Sequence, residues 1–139
     1  MNIENLVGHT VKRIFMNENA LKFETDKGSY VFTVYGDCCS SSYFYDFTGV
    51  NNLLNHEIKN VEEIELNTNG KHEKDHDVLQ CYGYRFTTED PQFGEVSSVM
   101  SFRNDSNGYY GGSLNSATES ESNEEVLPEI INDFYCTNV

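Results

Sequence analysis

The stretch "VYGDCCSSSYFYDF", Val34 to Phe47, gathers more reactive side chains than any other part of the chain. Asp37 precedes two adjacent thiols, Cys38 and Cys39. Three serines follow, then four aromatics in five positions. Such a run suits a metal site, a redox pair, a nucleophile, or a strand entering a core. Adjacent cysteines on a strand point to opposite faces, so both cannot ligate one tetrahedral zinc without a local turn. Zinc sites use two separated pairs, and here Cys81 and Cys136 stand alone. A vicinal disulfide needs a strained peptide. A nucleophilic pair of Cys38 or Cys39 with His56 has no readable third group to orient the imidazole. The remaining reading is structural: Asp37 caps a turn after Gly36, and the thiols fill small gaps beside aromatics.

The histidines add little. "HEKDH" sets His72 and His76 four residues apart, a metal-binding spacing on a helix, but the segment is too polar to form one and lacks the H-E-x-x-H order. His9 and His56 sit in no motif. Phosphate-binding and hydrolase motifs are also missing. We therefore expect no catalytic residue, no metal and no cofactor.

A second candidate is "FRNDSNGYYGGSL", Phe102 to Leu114. Arg103 is the last basic residue of the chain. With Asn104, Asn107, Tyr109 and Tyr110 it offers a cation, amides and rings to a small anionic ligand. Read structurally, Asn107-Gly108 is the turn of a hairpin.

Charge is the strongest compositional signal. The 139 residues carry net charge −14, and residues 57–139 hold seventeen acids against five bases. Such a surface repels nucleic acid and membranes and attracts basic proteins. Glu119, Glu121, Glu124, Glu125 and Glu129, with Glu62, Glu63 and Glu65, are the candidate partner-binding acids. Acidity also keeps a small protein in solution without any partner.

The elements that must position these groups follow from periodicity. "HTVKRIFMN", "ALKFETD" and "SYVFTVYG" alternate as an antiparallel meander, with Leu21 and Phe23 on one face, and Tyr30, Phe32 and Val34 on one face. "SSYFYDF" reads as a further strand. "TGVNNLLNHEI" predicts a helix of two or three turns with Thr48 as N-cap. "KNVEEIELN", "VLQCYGYRFTTE" and "EVSSVMSFRND" read as strands, and "SNGYYGGSLN" as a turn and return strand. "TNGKHEKDHD" has no apolar residue and predicts an exposed loop, and the acidic, Ser-rich residues 116–125 predict a mobile loop. "LPEIINDFY" predicts a C-terminal helix, with Leu127, Ile130, Ile131 and Phe134 on one face and Pro128 at its start. The expected fold is α+β: one curved antiparallel sheet of six or seven strands, a short central helix and a C-terminal helix, in a single domain over 1–139. No apolar run reaches the length of a membrane span and no signal pattern opens the chain, so a cytoplasmic protein with reduced thiols is expected.

"YGDCCSSSYFYDFTGVNNLL", "VEEIE", "YGYRFTT" and "FRNDSNGYYGGSL" together resemble a family of small uncharacterised proteins of phages and their bacterial hosts, over residues 28–114. That family carries Trp at the position of Tyr43. The resemblance implies a phage or prophage setting and no transferable activity. The reading it favours is an inhibitor that binds a host nuclease or immune effector, of the anti-CRISPR type, its acids standing in for phosphates. The partner would be a basic protein or nucleoprotein, and a homo-oligomer is compatible with the composition. Two alternatives belong to other classes: a sponge for a nucleotide signal built on Arg103, and a thiol or metal enzyme.

Overall fold

The computed structural model describes residues 2–36, 41–66, 78–106, 112–117 and 127–137. They form nine strands in two antiparallel sheets, with little helix. Strands β1 (Val11–Met16), β2 (Ala20–Thr25) and β3 (Gly28–Gly36) make the expected meander, and β8 (Gly112–Ala117) pairs with β3 on its far side. The second sheet runs β5 (Asn60–Leu66), β6 (Val78–Asp90), β7 (Gly94–Ser106), β4 (Ser41–Thr48) and β9 (Phe134–Cys136).

Strand alternation decides which side chains are buried. Leu21, Phe23 and Phe32 of the first sheet meet Phe44, Phe47, Phe86, Met100 and Phe102 of the second, all nearly inaccessible to water. Phe23 touches three rings, Phe32, Phe47 and Phe86, at centroid distances of 6.1, 6.2 and 5.6 Å. A bulge in β4 keeps two phenylalanines inward. Phe44 opposes Phe102 and Phe47 opposes Met100, and between them Tyr45 and Asp46 together face Ser101.

Several expectations need correction. The fold is mostly β in two sheets, rather than one curved sheet with two helices. The predicted C-terminal helix is extended. Its backbone is claimed by β1: Met16 N donates to Pro128 O at 3.1 Å and Ile130 N to Ile14 O at 2.8 Å. Only Ile130 of its apolar stripe is buried, while Ile131 is 75% and Phe134 54% exposed. A short segment gains more from pairing with existing strands than from a helix of its own. Asn107 and Gly108 lie outside the described residues, and the strands on either side do not pair as the expected hairpin would: β7 lies between β6 and β4 while β8 pairs with β3 in the other sheet.

The central helix, α1, is a single turn at Val50–Leu53. Thr48 remains in β4, and the N-cap position belongs to Gly49 in the left-handed region, φ 70°. Asn51 and Asn52 are poor helix formers. Asn55, also left-handed at φ 64°, turns the chain away so that its N–H reaches Val11 O at 2.7 Å. The turn is held from outside by Asp133, whose backbone O accepts from Val50 N and whose Oδ1 accepts from Asn51 N. No helix among the described residues is long and apolar enough to cross a membrane.

Gly49 is required by both conformation and space. A Cβ there would lie 2.8 Å from Ser97 O, and Gly49 O accepts from the buried Ser98 hydroxyl at 2.5 Å. Gly49→Ala should therefore lower unfolding free energy by about 1–3 kcal/mol, read from a denaturant midpoint. An unchanged midpoint would show that the β4–α1 corner relaxes freely.

Candidate functional site

The outward face of the five-stranded sheet carries the first candidate group. Cross-strand register sets Gly83, Ser101, Asp46 and Cys136 in one row, and Cys81, Arg103 and Tyr43 in the next. The Ser101 hydroxyl donates to Asp46 Oδ1. The Arg103 guanidinium stacks 3.7 Å from the centre of the Tyr45 ring and donates to Cys81 Sγ at 2.8 Å. Its Nε is buried without a hydrogen-bond partner among the described residues. Tyr45 follows the inward Phe44 and so faces outward beside Arg103, and the bulge places Asp46 on the same side.

Arg103 and Asn104 are adjacent, so a strand sends them to opposite faces. Asn104 is fully buried on the inner side, where its Oδ1 accepts from the Ser42 hydroxyl at 2.7 Å. The ligand set proposed around Arg103 is thus divided by the sheet itself. Asn107, Tyr109 and Tyr110 lie outside the described residues, as do Cys38, Cys39, His72 and His76.

Neither described histidine bonds to a described thiol, Cys81 or Cys136. His9 Nδ1 bonds to Thr25 Oγ1 and its ring meets Tyr30 edge-on, while His56 Nδ1 lies 2.8 Å from Leu54 O. Cys81 is 4% exposed. Among the described residues no three histidine, cysteine or carboxylate groups converge as a metal site would require.

The acids fall into three places. Glu119, Glu121, Glu124 and Glu125 lie outside the described residues. Glu129 is held against β1 by a two-point pair with Arg13, Nε to Oε2 at 3.1 Å and Nη2 to Oε1 at 2.8 Å. The pairing depresses the Glu129 carboxyl, chiefly through the Arg13 hydrogen bonds. Glu62, Glu63 and Glu65 sit on β5, which among the described residues pairs only with β6. Alternation splits them. Glu62 shares a face with Arg85 and bonds to it at 2.9 Å. Glu63 and Glu65 lie on the other face opposite Tyr84 and Tyr82, exposed and without an ion pair among the described residues.

A cavity of about 240 Å³ opens beside that second face. Ile3 and Glu4 of a 3-10 turn at Ile3–Leu6, Phe32 of β3, Tyr84 of β6, and Leu114 to Ser116 of β8 form its walls, with Asn2. Tyr84 is 8% exposed and its ring stacks near Phe102. Its hydroxyl has no hydrogen-bond partner among the described residues. Sequence reasoning did not find this site. Its walls come from four elements that span almost the whole chain, and no local spacing links them. The one legible trace is the inward placement of Tyr84 by the alternation of β6.

The Tyr84 phenol is pushed up to about 12 by burial, with smaller contributions from the Glu63 and Glu4 charges. A folded pKa above the unfolded value near 10 means the folded state holds the proton more tightly. That stability is complete below pH 10 and is lost as pH rises towards about 12. Denaturation midpoints should fall across this window, and Tyr84→Phe should flatten the fall. An identical slope in the variant would place the alkaline loss in other groups.

None of the curated proteins and none of the solved structures matches the chain. One family model does, a domain of unknown function designated DUF7448, over residues 4–116. It takes in the cavity walls from Glu4 to Ser116 and every strand but β9 and the far end of β8. This protein belongs to the DUF7448 family.

Proposed function

We propose that the chain is a binding module without chemistry of its own, which docks through its acids on a cationic protein surface. In the phage or prophage setting that the sequence motifs suggest, such docking would block a host defence nuclease or immune effector of the kind that anti-CRISPR proteins inhibit. The observation that carries the reading is the β5 edge. Glu63 and Glu65 stand exposed on a strand with one free side among the described residues, on a chain of net charge −14.

Charge and edge act together in this reading. An edge strand exposes backbone donors and acceptors that a neighbouring chain can pair with. Carboxylates along it repel a second acidic chain and favour a partner rich in Lys and Arg. Surfaces that hold nucleic acid are rich in those residues, which makes nucleic-acid-handling effectors suitable partners.

The experiment is capture of the partner from host lysate, followed by affinity measurement at two salt concentrations. Each exposed charge contributes roughly 0.5–1 kcal/mol in a screened pair. Replacing Glu119, Glu121, Glu124 and Glu125 by Gln should weaken binding by on the order of tenfold to a thousandfold, mainly in the association rate. Glu63→Gln with Glu65→Gln should cost about fivefold to thirtyfold. Equal affinities in all variants at both salts would reject charge-driven docking and leave the acids as a solubility feature.

A further inference from the structure

The hairpin of β6 and β7 is the longest among the described residues, and its end stands clear of the sheet. The two strands pair from Val78↔Ser106 to Asp90↔Gly94. Pairing with β5 stops at Thr87, and pairing with β4 stops at Val99. The ribbon is clamped just past that level by α1: Thr88 Oγ1 donates to Asn52 O at 2.6 Å and Asn52 Nδ2 to Ser97 O at 3.0 Å. Beyond the clamp, Glu89 to Val96 form a two-stranded finger that no other strand flanks among the described residues. Phe93 sits at its tip and is 75% exposed, whereas six of the nine phenylalanines are buried. Single exposed apolar side chains are common on any protein surface, so exposure alone decides nothing. Two further observations do. The tip is preset: Asp90 Oδ1 accepts from Gln92 N at 2.7 Å and from Phe93 N at 3.0 Å, Pro91 fixes its own φ, and Gly94 takes φ 79°. Behind the tip, Glu89 and Glu95 are direct cross-strand neighbours, both exposed, and neither has an ion pair among the described residues. Like charges in that position repel and weaken a hairpin. A local conflict of this kind, kept against the stability of its own element, is expected at functional positions.

We propose that this finger is the anchor by which the chain docks: Phe93 enters an apolar pocket of a protein partner, and Lys or Arg side chains on the rim of that pocket meet Glu89 and Glu95. The proposal rests on the docking reading above and gives it an apolar centre. A projecting tip offers no concavity to a small ligand, so the pocket belongs to the partner. Charge sets the chemistry of its rim. No Lys or Arg occurs between Arg85 and Arg103, and Glu89, Asp90 and Glu95 flank Phe93. These acids oppose nucleic acid, an anionic bilayer and a second copy of this chain. A cation placed between Glu89 and Glu95 turns one repulsion into two attractions. An aromatic side chain ringed by polar contacts is the usual arrangement at the centre of an interface. The ordered turn lowers the cost of docking, because the position of the ring is fixed before the partner arrives. Asp90 is a positioning residue in this scheme. The bonds from Gln92 N and Phe93 N hold its carboxyl below the usual carboxylate range, so it is ionised at neutral pH and the turn is intact there.

The test uses the full chain and the partner obtained by the capture described above, with affinity and melting temperature measured side by side for each variant. Phe93→Ala should weaken binding by about thirtyfold or more, and should leave the melting temperature within about 2 °C of the wild type, since the side chain it removes is exposed. Glu89→Gln combined with Glu95→Gln should weaken binding by about fivefold to thirtyfold while raising the melting temperature by about 1–3 °C, because the repulsion is relieved. A merely structural role would not move the two readings in opposite directions. Asp90→Ala should weaken binding by about threefold to tenfold, and Asp90→Asn, which keeps the acceptor, should restore most of it. Unchanged affinity in Phe93→Ala overturns the proposal, as does a joint fall of affinity and melting temperature in the glutamate double variant. Binding to phosphatidylcholine vesicles by the wild type and not by Phe93→Ala would overturn it by making a bilayer the partner. Dimerisation of the wild type that is lost in Phe93→Ala would do so by making a second copy the partner. Failure to capture any protein removes this proposal together with the docking reading. If Glu63→Gln with Glu65→Gln costs affinity and Phe93→Ala does not, the docking reading stands and the finger falls. If the finger variants cost affinity and the β5 variants do not, the finger stands and the β5 edge leaves the interface.

Discussion

Phe23 is the side chain on which the two sheets meet. It lies against Phe32 in its own sheet and against Phe47 and Phe86 in the other. With no tryptophan in the chain and nine phenylalanines, the interior depends on these rings interlocking across the layers. Phe47 reaches this contact only because β4 carries a bulge. Without the extra residue, every side chain beyond it would change face. The same bulge turns Tyr45 and Asp46 outward together, and so provides Arg103 with a ring and Ser101 with an acceptor. The outward polar row is therefore a consequence of how the core is filled.

The residues after Leu127 complete the fold by contacts that reach back along the chain. Backbone bonds fix them to β1, Arg13 grips Glu129, Asp133 caps α1, and β9 extends the second sheet beside β4. Thr137 adds side-chain bonds to the carbonyls of Phe44 and Tyr45 at the bulge. One short segment thus ties both sheets to the helical turn between them. It does so with few buried apolar groups, mainly by meeting backbone donors and acceptors that would otherwise be unpaired.

Acidity and architecture reinforce one another. Arg13 and Arg85 are engaged by Glu129 and Glu62, and Arg103 is turned onto Tyr45. The three arginines are thus engaged within the molecule, while Glu63 and Glu65 face outward from the β5 edge. A negative field over that edge discourages self-pairing and draws in positive surfaces.

Local pattern alone determined most strands and their faces. Leu21 and Phe23, Tyr30 and Phe32, and Tyr82, Tyr84 and Phe86 lie inward as period-two alternation requires, because a strand has only two sides and one is buried. The acidic balance was equally plain. Tertiary structure decided the rest. "LPEIINDFY" has a helical stripe, yet its backbone bonds to β1 and β4, partners far away in sequence whose pull no local window records. The Asn107-Gly108 region reads as a hairpin, but β8 pairs with β3, since β7 is already flanked on both edges. Arg103 and Asn104 look like one site in the sequence and are parted by the sheet. The cavity around Tyr84 exists only once the amino-terminal turn, β3, β6 and β8 converge, because a concave surface is a property of packed elements and not of any one of them.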